Sequence, residues 1–138
     1  MKKVYTIGYG GRDPKDFVGL LKERGVKTVI DVRMSPKGYM SFYSKAKTRD
    51  KGIEALLSGG GIEYVHMPDL GNPYFHNQGW RAHYANRLAK MDPAWKDAVL
   101  NVRGTPCLLC AEKDPTECHR SLIADALAEK GTAIEHIR

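Results

Sequence analysis

The sequence predicts one α/β domain over residues 1–138, built on a mostly parallel five-stranded sheet with helices on both faces. Short, almost continuously apolar segments alternate along the chain with segments whose apolar residues recur at helical spacing. Strands that are apolar throughout are typical of a parallel sheet that is buried on both faces. The length of 138 residues fits a single domain, and 42% hydrophobic with 28% charged residues is the composition of a folded chain.

The order of the elements follows from this pattern. We predict strands over residues 4–8, 27–32, 62–67, 105–111 and 133–137. We predict helices over residues 14–24, 48–57, 80–91, 93–102 and 115–130. Asp13 and Pro14 suit the N-cap and first position of the first helix, and Asp114 with Pro115 repeats this signal before the last helix.

The predicted topology brings the polar ends of the strands together. In open parallel sheets, ligands bind beyond the carboxyl ends of the strands. The residues that follow the predicted strands there include three arginines, several carboxylates, two cysteines and a histidine. We therefore expect a functional site at this edge, and both an enzyme and a binding protein remain open.

The arginines and a glycine-rich loop predict an anion-binding site. The net charge is +6, which favours anionic partners. Guanidinium groups bind phosphate or carboxylate through paired hydrogen bonds, and the backbone N–H groups of the loop could add to them. The alternative is a loop that only needs positive φ, with arginines that lie in solvent. The predicted anion-binding residues are Tyr9, Gly10, Gly11, Arg12, Asp31, Arg33 and Arg120, where the buried carboxylate of Asp31 pairs with an arginine.

The cysteines suggest thiol chemistry. A disulfide framework is not expected from an odd number of cysteines. Cys118 lies near the start of a predicted helix, whose N-terminus favours a thiolate, and Cys110 ends a strand. The catalytic candidates are Cys118 as nucleophile or redox thiol, Cys110 as its partner, His119 as acid or base, and Glu112 beside them. The alternative is that both cysteines are buried apolar residues.

The same residues do not predict a metal site. Cys107 and Cys110 are three positions apart and would face opposite sides of a sheet. Cys118 and His119, as neighbours on a helix, would diverge by about 100°. Two carboxylates at the sheet edge could hold Mg²⁺, but ion pairs with the arginines account for them more simply. We therefore predict no metal and no cofactor.

A basic segment with aromatic residues indicates a second kind of partner. Residues 33–51 carry a net charge of +5, from six lysines and arginines against Asp50. Lysines that meet phosphates beside aromatic rings that stack on bases are typical of proteins that bind single-stranded nucleic acid. The predicted contacts are Lys37, Tyr39, Phe42, Tyr43, Lys45 and Lys47. The alternative is a loop whose aromatic residues pack on the core while its lysines stay in water.

The sequence has neither a membrane-spanning segment nor a secretory signal, and this predicts the compartment. No apolar run approaches the roughly 18 residues of a membrane span, and the N-terminus has no apolar secretory region. We expect a cytoplasmic protein that contacts no membrane and has an anionic small molecule or a nucleic acid as its partner. The sequence does not predict the oligomeric state.

Several motifs carry a resemblance to a known family. They are Thr6-Ile7-Gly8-Tyr9-Gly10, Asp31-Val32-Arg33, Leu108-Leu109-Cys110-Ala111-Glu112 and Cys118-His119-Arg120. With these motifs the chain resembles the family known as domain of unknown function 488. The resemblance implies an α/β single-domain protein whose signature residues coincide with the predicted site, and it carries no established reaction.

Three functions are compatible with the sequence. The favoured one is binding or processing of a nucleotide, nucleic acid or other phosphorylated anion. The others are a nucleic-acid-binding module without catalysis, and a thiol redox or sulfur-transfer protein that uses Cys110 and Cys118.

Overall fold

Five parallel strands form one sheet in the computed structural model, which describes residues 2–34, 52–75 and 77–138. The strands are β1 (Lys3–Gly8), β2 (Val26–Asp31), β3 (Glu63–His66), β4 (Thr105–Cys110) and β5 (Ala133–Ile137). Their order across the sheet is β3-β2-β4-β1-β5, and each neighbouring pair is parallel. The predicted α/β fold is confirmed.

Helices cover both faces of the sheet, as predicted. In the described ranges they are α1 (Pro14–Glu23), α2 (Ile53–Gly59), α3 (Trp80–Lys90), α4 (Ala94–Leu100) and α5 (Arg120–Ala128). Asp13 caps α1, because its carboxylate accepts the N–H of Lys15 at 2.8 Å. Residues 48–51, where α2 was predicted to begin, lie outside the described residues.

Alternation along the strands divides the core into two clusters. Cys107 and Leu109 of β4 pack with α1 and α2, whereas Leu108 and Cys110 pack with α3, α4 and α5. Side chains of successive strand residues point to opposite faces, so one strand contributes to both clusters. No helix in the described part of the chain has the length and apolar character needed to cross a membrane.

The segments that follow β1 and β4 leave a crevice between them at the carboxyl ends of these strands. The segment after β1 leads to α1 on one face, and the segment after β4 leads to α5 on the other face. Because these two strands are neighbours, their following segments diverge. Such a divergence is where open α/β sheets bind their ligands.

Gly8 allows close approach of two backbones at this crevice. A Cβ atom at Gly8 would overlap the carbonyl group of Glu112. Gly8→Ala should therefore lower the free energy of unfolding by about 1–3 kcal/mol, the usual cost of overpacking. Urea denaturation followed by circular dichroism measures this change.

Gly19→Ala is the matched control. Gly19 lies within α1, and a Cβ there would meet no atom within 4 Å. This variant should gain about 0.5–1 kcal/mol, because alanine is the better helix former. Equal effects of the two substitutions would contradict the tight approach at Gly8.

Candidate functional site

Two thiols and an imidazole meet at the carboxyl end of β4. Cys110 is the last residue of β4, and Cys118 and His119 directly precede α5. Nδ1 of His119 lies 3.8 Å from Sγ of Cys110 and 3.8 Å from Sγ of Cys118. The three atoms all lie within 4.8 Å of one another. These three predicted catalytic residues are therefore neighbours in space, and we call them the thiol cluster.

The backbone fixes the orientation of the His119 ring. Nε2 lies 2.8 Å from the carbonyl oxygen of Val32, which can only accept a hydrogen bond. Nε2 therefore carries a proton, and Nδ1 faces the two sulfurs. The ring of Tyr84 packs edge-on against the imidazole, with ring centres 5.1 Å apart.

A break in the chain before α5 produces this geometry. The predicted helix over residues 115–130 is interrupted: Pro115–Glu117 form a single 3-10 turn capped by Asp114, and Cys118 is extended with φ −128° and ψ 144°. Cys118 and His119 are thus not successive positions on a helix. The expectation that their side chains diverge is wrong, because Cys118 is extended and α5 begins only at Arg120.

The surroundings of Cys118 favour a thiolate. Burial opposes the charge, but hydrogen bonds from the Cys110 thiol, from His119 and from the backbone N–H of Arg120 outweigh it. These bonds hold the pKa of Cys118 well below its usual range. For His119, burial lowers the pKa, but the Cys118 thiolate and the Val32 carbonyl outweigh burial, so its pKa is raised. The two shifts together favour a thiolate at Cys118 paired with an imidazolium at His119.

Cys110 keeps its proton beside this pair. Its hydrogen bond to Cys118, together with burial, raises the pKa of Cys110. Sγ of Cys110 also lies 3.5 Å from Oε2 of Glu112. Burial raises the pKa of Glu112, and the charge of Cys118 adds to this effect. Only one of the two thiols is thus ionised.

Cys107 lies apart from the thiol cluster. It packs in the core on the face that carries α1 and α2, and burial raises the pKa of its thiol. The predicted separation of Cys107 from Cys110 is confirmed. The three remaining donors, Cys110, Cys118 and His119, form a group that could hold a metal ion. The sequence argument missed this group because it separated Cys118 from His119.

Arg33 is held in place by a buried carboxylate. Its Nε and Nη2 donate to Oδ1 and Oδ2 of Asp31 at 2.8 and 2.7 Å. The hydroxyl of Tyr64 donates to the same carboxylate at 2.6 Å. The guanidinium group lies 5.1 Å from the centre of the Tyr9 ring. The expected pairing of Asp31 with an arginine is confirmed.

Arg120 serves the fold rather than a ligand. Its side chain is fully buried. The guanidinium group donates to Oγ1 of Thr6 at 3.2 Å and to the carbonyl oxygens of Glu112 and Lys113 at 2.6 and 3.1 Å. These bonds occupy the three nitrogen atoms, so Arg120 is directed at the backbone.

Arg12 also bonds to the backbone. It donates to the carbonyl oxygens of Gly8 at 2.7 Å and Ile137 at 3.3 Å. Neither Arg12 nor Arg120 is among the described residues that line the cavity beside the thiol cluster. Arg33 lines this cavity, whereas the guanidinium group of Arg120 is buried against the backbone, so the expectation that all three guanidinium groups converge on one hollow is wrong for Arg120.

The glycine-rich loop extends the sheet instead of forming an anion cradle. The N–H of Tyr9 donates to the carbonyl of Cys110 at 3.1 Å, and the N–H of Gly10 donates to that of Ala111 at 2.8 Å. These two donors are engaged by the segment that follows β4, which corrects their predicted role. Gly11 is exposed and adopts a φ of 69°, so it serves the turn.

A cavity of about 520 Å³ borders the thiol cluster. It is lined by Tyr9, Arg33, Met34, Asn72, Phe75, Trp80, Cys110, Ala111, Glu112, Glu117, Cys118 and His119. Asn72 and Phe75 come from the segment between β3 and α3, and Trp80 begins α3. No sequence signal linked this part of the chain to the cysteines. Glu117 could have been found as the neighbour of Cys118. A second cavity, of about 700 Å³, is lined by none of the predicted residues.

The predicted nucleic-acid contacts are six residues of the basic segment. They lie outside the described residues, and they are Lys37, Tyr39, Phe42, Tyr43, Lys45 and Lys47.

Comparison with known proteins identifies the family. The family model described as Domain of unknown function DUF488 matches residues 13–127. The chain belongs to this family. The match spans Arg33, Cys110 and the segment from Cys118 to Arg120, which confirms the resemblance noted from the motifs. No curated protein and no solved structure matches this DUF488 member.

Arg120→Met should destabilise this DUF488 protein by about 3 kcal/mol or more. The change removes the hydrogen bonds from the buried guanidinium group to the carbonyls of Glu112 and Lys113, and each hydrogen bond to a charged group contributes about 1.5–3 kcal/mol. Guanidinium denaturation gives the free energy of unfolding. Arg81→Met is the control, because Arg81 is exposed and donates to the carbonyl of Thr116 at the surface. Its change should stay within about 0.5 kcal/mol. Comparable losses in both variants would refute the structural role of Arg120.

Proposed function

We propose that this protein is a thiol-dependent enzyme that exchanges sulfur bonds of a small molecule, with Cys118 as the attacking thiolate and Cys110 as the second thiol. One observation carries the proposal: a single nitrogen, Nδ1 of His119, lies 3.8 Å from both sulfurs on the wall of a cavity. The volume of about 520 Å³ is in the range of small-molecule sites, which is about 300–1,000 Å³.

The position of Nδ1 lets one imidazole serve both thiols. Cys118 attacks one sulfur of a substrate disulfide and forms a mixed disulfide, and the departing thiolate takes the proton of the His119 imidazolium. Neutral His119 then accepts the proton of Cys110, which attacks Sγ of Cys118. The Cys110–Cys118 disulfide forms, and the second half of the substrate leaves with the proton. The substrate disulfide gains two electrons, and the cysteine pair loses them.

A chromogenic disulfide tests the roles of the two cysteines. With 4,4′-dithiodipyridine, the wild-type protein should release both halves of the reagent and end with a Cys110–Cys118 disulfide. Cys110→Ser should release one half and keep the other as a mixed disulfide on Cys118, because no second thiol is present to displace it. Absorbance counts the released thiol, and peptide mass spectrometry locates the bonds.

Cys107→Ser is the matched control and should react as the wild type does, because Cys107 is buried on the opposite face of the sheet. Cys118→Ser should lose the fast reaction. A mixed disulfide found on Cys110 in the wild-type protein, or an unreactive Cys118, would overturn the proposal.

A nucleotide or another anion is the second candidate ligand. The cavity presents the rings of Tyr9, Phe75 and Trp80 together with the guanidinium group of Arg33. Aromatic rings stack on a base, and an arginine pairs with a phosphate or carboxylate. Glu112 and Glu117 line the same cavity, so the acidic group of such a ligand would lie on the side of Arg33.

The charge preference of the cavity can be read from Cys118 itself. Arg33→Gln should lower the alkylation rate with iodoacetate, relative to that with neutral iodoacetamide, by roughly 3–10-fold, which corresponds to about 1 kcal/mol of screened attraction. Arg103→Gln should leave this ratio unchanged, because Arg103 is exposed and precedes β4, at the opposite end of that strand from Cys110. If Arg33→Gln misfolds, the paired change with Asp31→Asn avoids an uncompensated buried carboxylate. An unchanged ratio would count against anion recognition by Arg33.

The nucleic-acid module remains a separate prediction that rests on residues 37–51. Binding of a fluorescent single-stranded oligonucleotide, falling steeply with salt, would support it. Absence of binding at low salt would reject it.

A further inference from the structure

We infer that the reduced thiol cluster also binds one zinc ion, and that this ion controls the thiol chemistry. The inference rests on the proposed function in one respect, because it needs both thiols reduced and adjacent. The ligands are Sγ of Cys110, Sγ of Cys118 and Nδ1 of His119. All three residues line the cavity, so a fourth ligand could reach the ion from there.

The spacing of the three donor atoms is close to that of a tetrahedral zinc site. With Zn–S of about 2.3 Å and Zn–N of about 2.0–2.1 Å, two sulfurs lie about 3.8 Å apart and a sulfur and a nitrogen about 3.6 Å apart. In the protein, Nδ1 lies 3.8 Å from each sulfur, and all three atoms lie within 4.8 Å of one another. One ion therefore fits between them after small side-chain rotations.

The histidine is already oriented as a ligand. Nε2 of His119 donates to the carbonyl oxygen of Val32 at 2.8 Å, so Nδ1 is the ring nitrogen that faces the sulfurs. Zinc binding displaces the proton of Nδ1 and that of the Cys110 thiol, and the lone pair of Nδ1 is then directed at the ion. Metal-binding histidines almost always donate their second ring nitrogen to a carbonyl or carboxylate in this way. The edge-on ring of Tyr84 further restricts rotation of the imidazole.

The donor set selects the metal. Two thiolates and an imidazole favour Zn²⁺ over Mg²⁺ and Ca²⁺, which prefer oxygen ligands. Three protein ligands beside an open cavity are the arrangement of zinc sites that reserve one position for water or substrate.

Zinc binding and thiol exchange exclude each other at this site. Coordination occupies the sulfur lone pairs that would attack a disulfide, so the ion protects Cys118. Formation of the Cys110–Cys118 disulfide removes two of the three ligands and releases Zn²⁺ without any change in its oxidation state. The rate of thiol exchange therefore falls as the zinc concentration rises. The affinity for zinc is lost when a disulfide substrate oxidises the two cysteines.

Metal titration of the reduced, metal-free protein tests the inference. Co²⁺ should bind with one ion per chain and give the visible absorption bands of a tetrahedral thiolate site, and Zn²⁺ should displace it. Zn²⁺, but not Mg²⁺, should protect Cys118 of the wild-type protein from iodoacetamide. Pre-oxidation with 4,4′-dithiodipyridine should abolish binding.

Ligand variants complete the test. Cys110→Ser and Cys118→Ser should each weaken zinc binding by more than the roughly 10–100-fold that loss of an orienting partner costs, with folding checked by circular dichroism. Cys107→Ser should bind as the wild type does. Octahedral cobalt spectra, or zinc affinity that is unchanged in Cys110→Ser, would overturn the zinc site.

The two proposals fail in different ways. Fast reaction of metal-free Cys118 with the disulfide reagent supports thiol exchange whatever the cobalt spectrum shows. An unreactive Cys118 overturns thiol exchange and the control of it by zinc, and the cobalt spectrum then decides the metal site alone.

Discussion

The guanidinium group of Arg120 joins three parts of the chain that are far apart in sequence. It stands at the start of α5 and donates to the middle of β1 through Thr6 and to the segment after β4 through the carbonyls of Glu112 and Lys113. A buried cation is costly unless its hydrogen bonds are satisfied, so these partners must be present together. This requirement sets the distance between the end of β4 and the start of α5, and with it the meeting of Cys110 with Cys118 and His119.

The sheet topology explains why the site lies where it does. β1 and β4 are neighbours whose following segments lead to helices on opposite faces, and this divergence leaves the cavity open. The close backbone approach at Gly8 keeps the segment after β4 against β1. On the side of β2, the buried carboxylate of Asp31 holds Arg33 at the cavity wall. The main chain thus determines the position of the cavity, and side chains such as Arg33 complete its wall.

One contact governs both chemistries of the thiol cluster. The hydrogen bond from His119 to the Val32 carbonyl fixes which ring nitrogen faces the sulfurs. That nitrogen can hold a proton between two thiols, or it can give its lone pair to a metal ion. The oxidation state of Cys110 and Cys118 decides between these roles. A disulfide between them leaves a metal ion with too few ligands, and a bound metal ion leaves no free thiolate to attack a disulfide.

The sequence by itself determined the fold class, the order of the strands and helices along the chain, and the membership of Asp31, Arg33, Cys110, Cys118 and His119 in one edge of the sheet. These features depend on residue type and spacing: apolar strands, capping signals and polar residues at strand ends are visible without coordinates. Only the tertiary structure decided the order of the strands across the sheet and which of the predicted groups face the cavity.

Arg12 and Arg120 show why the sequence could not settle this second question. Their partners are carbonyl oxygens, which every residue carries, so nothing in the residue types distinguishes an arginine that binds a ligand from one that binds the backbone. The extended conformation of Cys118 could not be predicted from the sequence either, because it depends on tertiary packing. Local signals favour a helix from Asp114 onward, and the burial of Cys118, His119 and Arg120 in the packed protein outweighs them.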